Sequence, residues 1–234
     1  MKALLLAGGL GTRLQPITNI VPKCLVPING KPLLEYWLDS LSAVGISEFL
    51  VNTHYLHEEV NKYIEMSIYK DKITIAYEKE LLNTGGTLLA NKDFFDNEPF
   101  LLIHADNLSF CDLKEFIFSH ENRDDKCEMT MMLFKTDRPS HCGIVELDNH
   151  IVQKFYEKVD NPPSNLANGA VYICEPSILN FLTSLNKKEI DFSNEVIPYF
   201  MGKINTFLND IYHRDIGSLE SYALSQIEIR NFSL

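Results

Sequence analysis

The chain opens with Lys2-Ala3-Leu4-Leu5-Leu6-Ala7-Gly8-Gly9-Leu10-Gly11-Thr12-Arg13, an apolar run that leads directly into a glycine-rich loop. The apolar run predicts a buried β-strand. Glycines after a strand let the backbone approach an anion closely, because no Cβ intervenes and positive φ angles are accessible. Successive N–H groups in such a loop can form an anion-binding concavity. Arg13, and Lys23 ten positions later, add two cations, so this stretch predicts a site for a nucleotide triphosphate.

The glycine loop matches neither of the two common phosphate fingerprints. It lacks the Gly-Lys-Ser/Thr ending of a P-loop and the third glycine of the dinucleotide fingerprint. The combination Gly-x-Gly-Thr-Arg, nine residues and then Lys23 is more specific than a pair of glycines. Together with the stretch that runs on to Tyr36, it resembles the signature of the sugar-1-phosphate nucleotidylyltransferases. These enzymes convert an NTP and a sugar-1-phosphate to an NDP-sugar and pyrophosphate (EC 2.7.7 class).

Composition is compatible with a single soluble α/β domain. The chain has 234 residues, of which 45% are apolar and 23% charged, an ordinary globular usage. No apolar run reaches the roughly 20 residues of a membrane helix, and no secretion signal is visible. The net charge of −11 disfavours a nucleic-acid partner. Five cysteines without a C-x-x-C pair favour reduced thiols, and therefore a cytoplasmic location.

Hydrophobic periodicity predicts strands that alternate with helices in the first half of the chain. The predicted strands lie at 2–7, 48–53, 73–77 and 99–104, and the predicted helices at 32–44, at 57–66 and from near Gly86. The second half is richer in strands, at 128–134, 143–147, 151–156, 169–174 and 204–208. Its predicted helices lie at 176–183 and 193–200 and begin again at Gly217 or Ser218.

This order predicts a Rossmann-like, mostly parallel sheet with helices on both faces, followed by a strand-rich half. The resemblance implies the nucleotide-diphospho-sugar transferase fold in one domain, 1–234. About 1–110 would be its nucleotide-binding half and about 111–234 its sugar-phosphate-binding half. The resemblance extends to about Leu224, so no C-terminal β-helix domain is expected.

Two aspartates are candidates for a metal site. Asp106 follows a predicted buried strand, and Asp215 lies in Asp215-Ile216-Gly217 just before the last predicted helix. Alone, each would be interpreted as a turn or cap residue. The resemblance implies that the two carboxylates hold Mg²⁺, which takes one or two carboxylates and bridges substrate phosphates. Many relatives have Gly-Asp at the first position, where this chain has Ala105-Asp106.

The resemblance also implies which residues bind the nucleotide. The glycine loop would contact the phosphates, Arg13 and Lys23 would act with Asp106 in catalysis, and a second glycine segment would contact the base or ribose. As a bare motif, that second segment could equally be a helix N-terminus. The implied nucleotide-binding residues are Leu6, Ala7, Gly8, Gly9, Gly11, Thr12, Arg13, Lys23, Thr84, Gly85 and Gly86.

The implied sugar-phosphate site draws on three segments of the second half. Gly143 and Asn168 would contact the sugar, Glu157 would bind its hydroxyls, and Lys158 would hold its phosphate. Taken alone, Glu157-Lys158 would be interpreted as an exposed strand end. The order and spacing of the segments along the chain favour the functional interpretation.

The sequence leaves several alternatives open. The segment 191–198 is similar to that of guanylyltransferases for mannose-1-phosphate or manno-heptose-1-phosphate, which favours GTP and a role in surface polysaccharide synthesis. A uridylyl-, thymidylyl- or cytidylyltransferase, including one for phosphocholine, is a second possibility. A catalytically silent NDP-sugar-binding subunit is a third, although Arg13, Lys23, Asp106 and Asp215 are all present. A homodimer is an open expectation, and His213 departs from the aromatic residue that often precedes the late aspartate.

Overall fold

A computed structural model describes residues 1–232, and within them the chain forms thirteen strands and seven α-helices. The strands are β1 Lys2–Leu6, β2 Pro27–Ile28, β3 Lys31–Pro32, β4 Phe49–Thr53, β5 Ile73–Tyr77, β6 Phe100–His104, β7 Asn107–Phe110, β8 Met129–Lys135, β9 Gly143–Asp148, β10 Ile151–Glu157, β11 Leu166–Cys174, β12 Ile204–Leu208 and β13 Tyr212–Asp215. The helices are α1 Leu33–Ala43, α2 His57–Met66, α3 Asn83–Ala90, α4 Leu113–Glu121, α5 Pro176–Ser184, α6 Ile197–Phe200 and α7 Leu219–Glu228. No helix within residues 1–232 is long and apolar enough to span a membrane.

The chain folds into two compact units. The N-terminal unit comprises Lys2–Leu81, His104–Ser109 and the chain from His213 onward. The central unit comprises Leu82–Ile103 and Phe110–Tyr212. The chain thus leaves the N-terminal unit after Leu81, re-enters it for a short loop and returns to it for the last helix.

Three parallel strands form the sheet of the N-terminal unit, in the order β5-β4-β1. Ala3, Leu4 and Leu5 of β1 and all residues of β4 are buried, as expected for parallel strands covered on both faces. Parallel strands place their carboxyl ends at the same edge of a sheet, which is where α/β proteins bind ligands. The glycine loop after β1, the residues after β4 and Glu78 after β5 therefore lie at one edge.

A two-stranded ribbon of β7 and β13 positions the two aspartates in the same unit. Asp106 lies just before β7 and Asp215 ends β13. The indole N–H of Trp37, on α1, donates a hydrogen bond to the carbonyl of Asn107 at 2.9 Å, which fixes the loop after Asp106. The backbone N–H of Ile216 donates to the carbonyl of Asp106 at 3.3 Å. The aspartates are thus held on backbone that is anchored to buried residues.

The strands of the central unit follow the order β6-β11-β8-β12-β10-β9. The pairs are antiparallel, except that β12 runs parallel to β8. β11 also pairs with β9, through Ala167 and Ile144. The strand-rich second half is therefore confirmed, and with it the predicted mixed α/β fold class.

Several elements differ from the sequence-based prediction. Helix α4 was missed, although Asp112 caps it by accepting hydrogen bonds from the N–H groups of Lys114 and Glu115. Helix α3 begins at Asn83, not near Gly86. The helix predicted at 193–200 begins as a π-helical turn, Phe192–Val196, before α6. The short pairs β2–β3 and β7–β13 were also missed, because strands of two to four residues carry little periodic signal.

Candidate functional site

Lys23 lies between the two predicted metal-binding carboxylates. Its ammonium Nζ is 2.6 Å from Oδ2 of Asp106 and 3.2 Å from Oδ1 of Asp215. The Lys23 side chain is 8% exposed, whereas that of Asp215 is 52% exposed. Arg13 approaches the other oxygen of Asp215, with its NH2 nitrogen 3.8 Å from Oδ2. All four residues belong to the N-terminal unit, so the structure brings this part of the predicted set together.

Burial and charge act in opposite directions at this cluster. Burial lowers the pKa of Lys23, and the carboxylates of Asp106 and Asp215 raise it by more, so the net pKa is raised. Burial raises the pKa of Asp106, but the charges of Lys23 and His104 lower it by more. The net pKa of this carboxyl group is therefore below its usual range. Both shifts favour the charged forms, the ammonium of Lys23 and the carboxylate of Asp106.

The carboxylate pair has the chemistry of a Mg²⁺ site that is completed by a substrate. Within residues 1–232 no set of three His, Cys, Asp or Glu side chains could hold a metal ion. Mg²⁺ does not need such a cage, since it is commonly bound by one or two carboxylates, water and substrate phosphates. Asp106 and Asp215 converge on one cation from two separate strand ends, which fits that donor set.

The glycine loop presents free backbone donors beside the cluster. Gly11 has a φ of 63°, and a Cβ there would come within 2.8 Å of Thr18 Cγ2. Gly8 is packed against Asn52, so a Cβ there would be 2.9 Å from Nδ2. Gly9 is exposed, with nothing within 4 Å of its virtual Cβ. Within residues 1–232 the N–H groups of Gly8 and Gly9 have no hydrogen-bond acceptor, as an anion-binding loop requires.

Glu78 is a buried carboxylate at the same sheet edge that sequence reasoning missed. It is 7% exposed, and its Oε1 accepts a hydrogen bond from Asn52 Nδ2 at 3.3 Å. Asn52 in turn accepts a hydrogen bond from the N–H of Ala7 at 2.7 Å, which links Glu78 to the glycine loop. Its Oε2 is buried and has no partner within the described chain. A buried carboxylate oxygen without a donor is costly, so it indicates a missing ligand or water.

The second glycine segment forms the first turn of α3, in the central unit. The N–H groups of Gly85 and Gly86 both donate to the carbonyl of Ile190, at 2.9 and 3.3 Å. A Cβ at Gly86 would lie 2.2 Å from the carbonyl oxygen of Lys188. These glycines therefore permit close packing on the segment 188–190. Their N–H groups are already used, which leaves Thr84 and backbone carbonyls as groups for a base contact.

The predicted sugar-phosphate residues lie on three neighbouring strands of the central unit. Glu157 of β10 is paired with Gly143 of β9. Ala167 of β11 is paired with Ile144 of β9, so Asn168 lies level with Gly143. A Cβ at Gly143 would be 2.8 Å from Oε2 of Glu157. The structure thus brings Gly143, Glu157 and Asn168 to one end of these strands.

Lys158 follows β10 in a left-handed conformation, with a φ of 49°. Its N–H donates to the carbonyl of Cys142 at 3.2 Å, and its Nζ is 2.8 Å from Oε1 of Glu157. The Lys158 side chain is 64% exposed, and its ammonium is therefore accessible to a solvated anion.

Comparison with known proteins establishes the family. A model of the nucleotidyl transferase family matches residues 2–231, and the chain belongs to that family. The mannose-1-phosphate guanyltransferase of Schizosaccharomyces pombe is 30% identical over 236 residues, a match that covers 95% of this chain and 62% of that protein. Mannose-1-phosphate guanylyltransferase 1 of Arabidopsis thaliana is 35% identical over 199 residues, covering 80% of this chain and 55% of that protein. The chain therefore spans less than two thirds of the length of either relative.

Solved structures share the fold. HddC from Yersinia pseudotuberculosis has a TM-score of 0.82 and 24% identity, with 97% of this chain and 99% of that chain covered. Apo-UDP-glucose pyrophosphorylase has a TM-score of 0.83 and 23% identity, with 100% of this chain and 99% of that chain covered. HddC is also known in complex with GMP-PN. The predicted family and fold class are thereby confirmed, and nucleotidyl transferases of this family generally use a divalent metal ion.

Proposed function

We propose that this chain transfers the guanylyl group of GTP to a sugar-1-phosphate, forming a GDP-sugar and releasing pyrophosphate. Mannose-1-phosphate is the favoured acceptor, because mannose-1-phosphate guanylyltransferases recur among the relatives. Manno-heptose-1-phosphate is the related acceptor to include in a test. The product would serve the synthesis of surface polysaccharides. Five unpaired thiols support a cytoplasmic location for this reaction.

The unpartnered carboxylate oxygen of Glu78 is the observation that favours guanine. The Watson–Crick edge of guanine presents two adjacent donors, N1–H and the N2 amino group. A carboxylate accepts from both at once, and such charge-assisted bonds are stronger than neutral ones. Uracil and thymine present one N–H between two carbonyls, which a carboxylate repels. Adenine and cytosine place a ring acceptor beside their amino donor, so neither offers the matching pair.

The proposed chemistry is an in-line displacement at the α-phosphorus. An oxygen of the sugar phosphate forms the new P–O bond while the bond to the pyrophosphate oxygen breaks. The nucleophile is already anionic, so no general base is needed. Catalysis then depends on positioning and on neutralising charge. Arg13, Lys23 and the free N–H groups of Gly8 and Gly9 are the groups in the N-terminal unit that suit the triphosphate.

Residues of the central unit suit the acceptor. The exposed ammonium of Lys158 would bind the sugar phosphate, and the carboxylate of Glu157 would accept hydrogen bonds from sugar hydroxyls. The absent side chain of Gly143 lets that carboxylate and the ring of Phe155 pack directly against its backbone. Asp106 and Asp215 would hold Mg²⁺, which when bound supplies positive charge to the phosphates.

The first test measures pyrophosphate release with Mg²⁺. GTP, UTP, dTTP, CTP and ATP are crossed with mannose-, manno-heptose-, glucose-, N-acetylglucosamine- and N-acetylmuramate-1-phosphate. We expect GTP with mannose- or manno-heptose-1-phosphate to be strongly preferred. Another preferred pair would retain the reaction class and refute the guanine assignment. No release with any pair, together with tight binding of a GDP-sugar, would identify a silent NDP-sugar-binding protein.

The variant Glu78→Gln tests the base assignment directly. Glutamine keeps the size and the contact with Asn52 but loses the second acceptor oxygen. We expect kcat/KM for GTP to fall by about 30-fold, since a hydrogen bond to a charged group is worth roughly 2 kcal/mol. The value for UTP should not fall. Glu80→Gln, an exposed change two residues away, is the matched control. An unchanged ratio of GTP to UTP in Glu78→Gln would remove the basis for the guanine preference.

A further inference from the structure

We propose that Asn168 is a positioning residue, which holds a bulge of β11 in the shape that receives the sugar phosphate. This inference rests on the proposed function. It replaces the direct sugar contact that the sequence resemblance implies for Asn168. The bulge is defined here as Gly169 and Ala170.

The register of β11 shows where the bulge lies. Asn168 is paired with Leu133 of β8, and Tyr172 is paired with Met131. From Asn168 to Tyr172 the chain advances four residues, whereas from Leu133 to Met131 it advances only two. β11 therefore carries two extra residues between these pairs. Ala170 has a φ of 53°, in the left-handed region that alanine rarely adopts. Bulges of this kind re-aim the groups of a strand and often lie next to active sites.

Both polar atoms of the Asn168 side-chain amide form hydrogen bonds around the bulge. Its Oδ1 accepts a hydrogen bond from the N–H of Ala170 at 2.9 Å, closing an Asx-turn. Its Nδ2 donates to the hydroxyl of Tyr172 at 2.6 Å. Tyr172 is 1% exposed, so this second bond ties the amide to the core. Both ends of the amide therefore brace Ala170 in its unfavourable conformation.

The bulge lies beside the residues that suit the acceptor. Asn168 is level with Gly143 on β9, which is paired with Glu157 on β10. Loss of the brace would let the two extra residues relax, and the register of β11 next to Gly143 would then shift. The acceptor would be affected, and the nucleotide would not.

The test combines Asn168→Ala with Ala170→Gly. Glycine adopts positive φ without the steric cost that alanine bears. If Asn168 acts by bracing Ala170, Asn168→Ala should raise KM for mannose-1-phosphate about tenfold, and adding Ala170→Gly should return it to within about threefold of wild type. KM for GTP should stay within about twofold in every variant.

A glycine elsewhere in the same unit controls for general stabilisation. Asn186 is exposed and also has a positive φ, of 51°, so Asn186→Gly places a glycine at another left-handed position without touching the bulge. The combination of Asn168→Ala with Asn186→Gly should leave KM for mannose-1-phosphate raised. Rescue by Asn186→Gly as well would overturn the proposal, because stabilisation anywhere would then be sufficient. No rescue by Ala170→Gly would also overturn it and indicate a direct sugar contact.

Crystal structures of wild type and Asn168→Ala separate this proposal from the proposed function. We expect the backbone at 169–170 to change in Asn168→Ala and to be restored in the double variant. An unchanged backbone at Ala170 in Asn168→Ala would overturn the proposal, whatever the activity. Lack of turnover by the wild-type protein would overturn the proposed function alone, since the structures would still show whether Asn168 braces the bulge.

Discussion

At the scale of the residue, Lys23 links charge balance to metal binding. Its ammonium is shared by Asp106 and Asp215 at 2.6 and 3.2 Å, where a divalent cation would otherwise neutralise them. In Lys23→Met the two carboxylates lose their shared cation. We therefore expect nucleotide-free Lys23→Met to bind Mn²⁺ about tenfold more tightly than wild type, as measured by electron paramagnetic resonance. Turnover should fall by about a hundredfold or more, because a cation for the phosphates is lost.

Lys31→Met provides the comparison for that measurement. Lys31 forms an ion pair with Asp39 in the same unit but does not contact either carboxylate of the cluster. Its replacement should leave Mn²⁺ binding unchanged. Equal or weaker Mn²⁺ binding by Lys23→Met would refute the assignment of Asp106 and Asp215 as the metal carboxylates.

Replacement of Gly9 should weaken phosphate binding without a loss of stability. Nothing lies within 4 Å of its virtual Cβ, and its φ is outside the positive range. Gly9→Ala should therefore change the free energy of unfolding by no more than about 0.5 kcal/mol. Affinity for the triphosphate should fall about tenfold, because a methyl group would stand between the backbone and the phosphate. Isothermal titration with GTP and urea unfolding measure the two effects.

Gly86→Ala should show the opposite pattern. Its Cβ would lie 2.2 Å from the carbonyl oxygen of Lys188, so α3 or the segment 188–190 must move. A cost of about 1–3 kcal/mol in unfolding free energy is expected for such overpacking. If Gly9→Ala lost stability rather than affinity, the loop would have a structural role only.

Sequence reasoning succeeded with residues whose neighbours in the chain carry the signal. Arg13 and Lys23 stand in a dense local pattern, and the structure places them beside Asp106 and Asp215, although their catalytic roles remain predictions. Glu78 could not be found in this way. Its burial depends on the parallel alignment of β4 and β5, which brings it to Asn52 across 26 positions of the chain. In the sequence it is one of three charged residues after a strand.

At the scale of the element, α4 is anchored to β8 by a buried histidine. His120 is 2% exposed, with Nδ1 2.9 Å from Thr130 Oγ1 and Nε2 3.2 Å from Glu175 Oε1. Burial, together with the smaller effect of the nearby charge of Arg123, lowers the pKa of His120 to about 3. In the unfolded chain the histidine has a pKa of about 6.5. Between about pH 6.5 and about pH 3 it therefore binds a proton in the unfolded chain but not in the folded protein. Stability therefore falls as pH falls from about 6.5 toward about 3.

The variant His120→Gln should remove that part of the pH dependence. At pH 5 the histidine costs about 2 kcal/mol of unfolding free energy relative to pH 7, from the difference in proton uptake. Urea unfolding at both pH values should show a smaller loss in His120→Gln by about that amount. His141→Gln, at an exposed position, is the control and should retain the wild-type loss. An equal loss in all three proteins would exclude His120 as the cause.

Elements with a clear hydrophobic pattern were predicted with their observed boundaries, and elements with a blurred pattern were not. Helix α2 and strands β5 and β12 were predicted with the boundaries that the structure shows. Helix α4 was missed despite buried residues at Leu113, Phe116 and His120, because Phe118 on its exposed face blurs the period. The bulge in β11 depends on contacts with β8 and the core, so the hydrophobic pattern of the sequence does not predict it.

At the scale of the whole molecule, the net charge opposes the ligands that the site would bind. The chain carries 32 acidic and 21 basic side chains, a net charge of −11. The net negative charge therefore repels an approaching triphosphate at long range. The cations of the cluster, Arg13 and Lys23, attract it only at short range. Salt screens such long-range repulsion, with a Debye length of about 10 Å at 0.1 M, but screens contacts in a partly buried site much less.

The association rate of a GTP analogue should consequently rise with salt. Between about 20 and about 200 mM NaCl we expect an increase of several-fold, while the dissociation rate changes by less than about twofold. Stopped-flow fluorescence with a labelled GTP analogue and Mg²⁺ measures both rates. Labelled guanosine, which carries no phosphate, should associate at a rate that salt does not alter. An association rate that falls with salt would mean that the cations around Arg13 and Lys23 attract the nucleotide from a distance. In that case the local charge, and not the net charge of the molecule, would govern its approach.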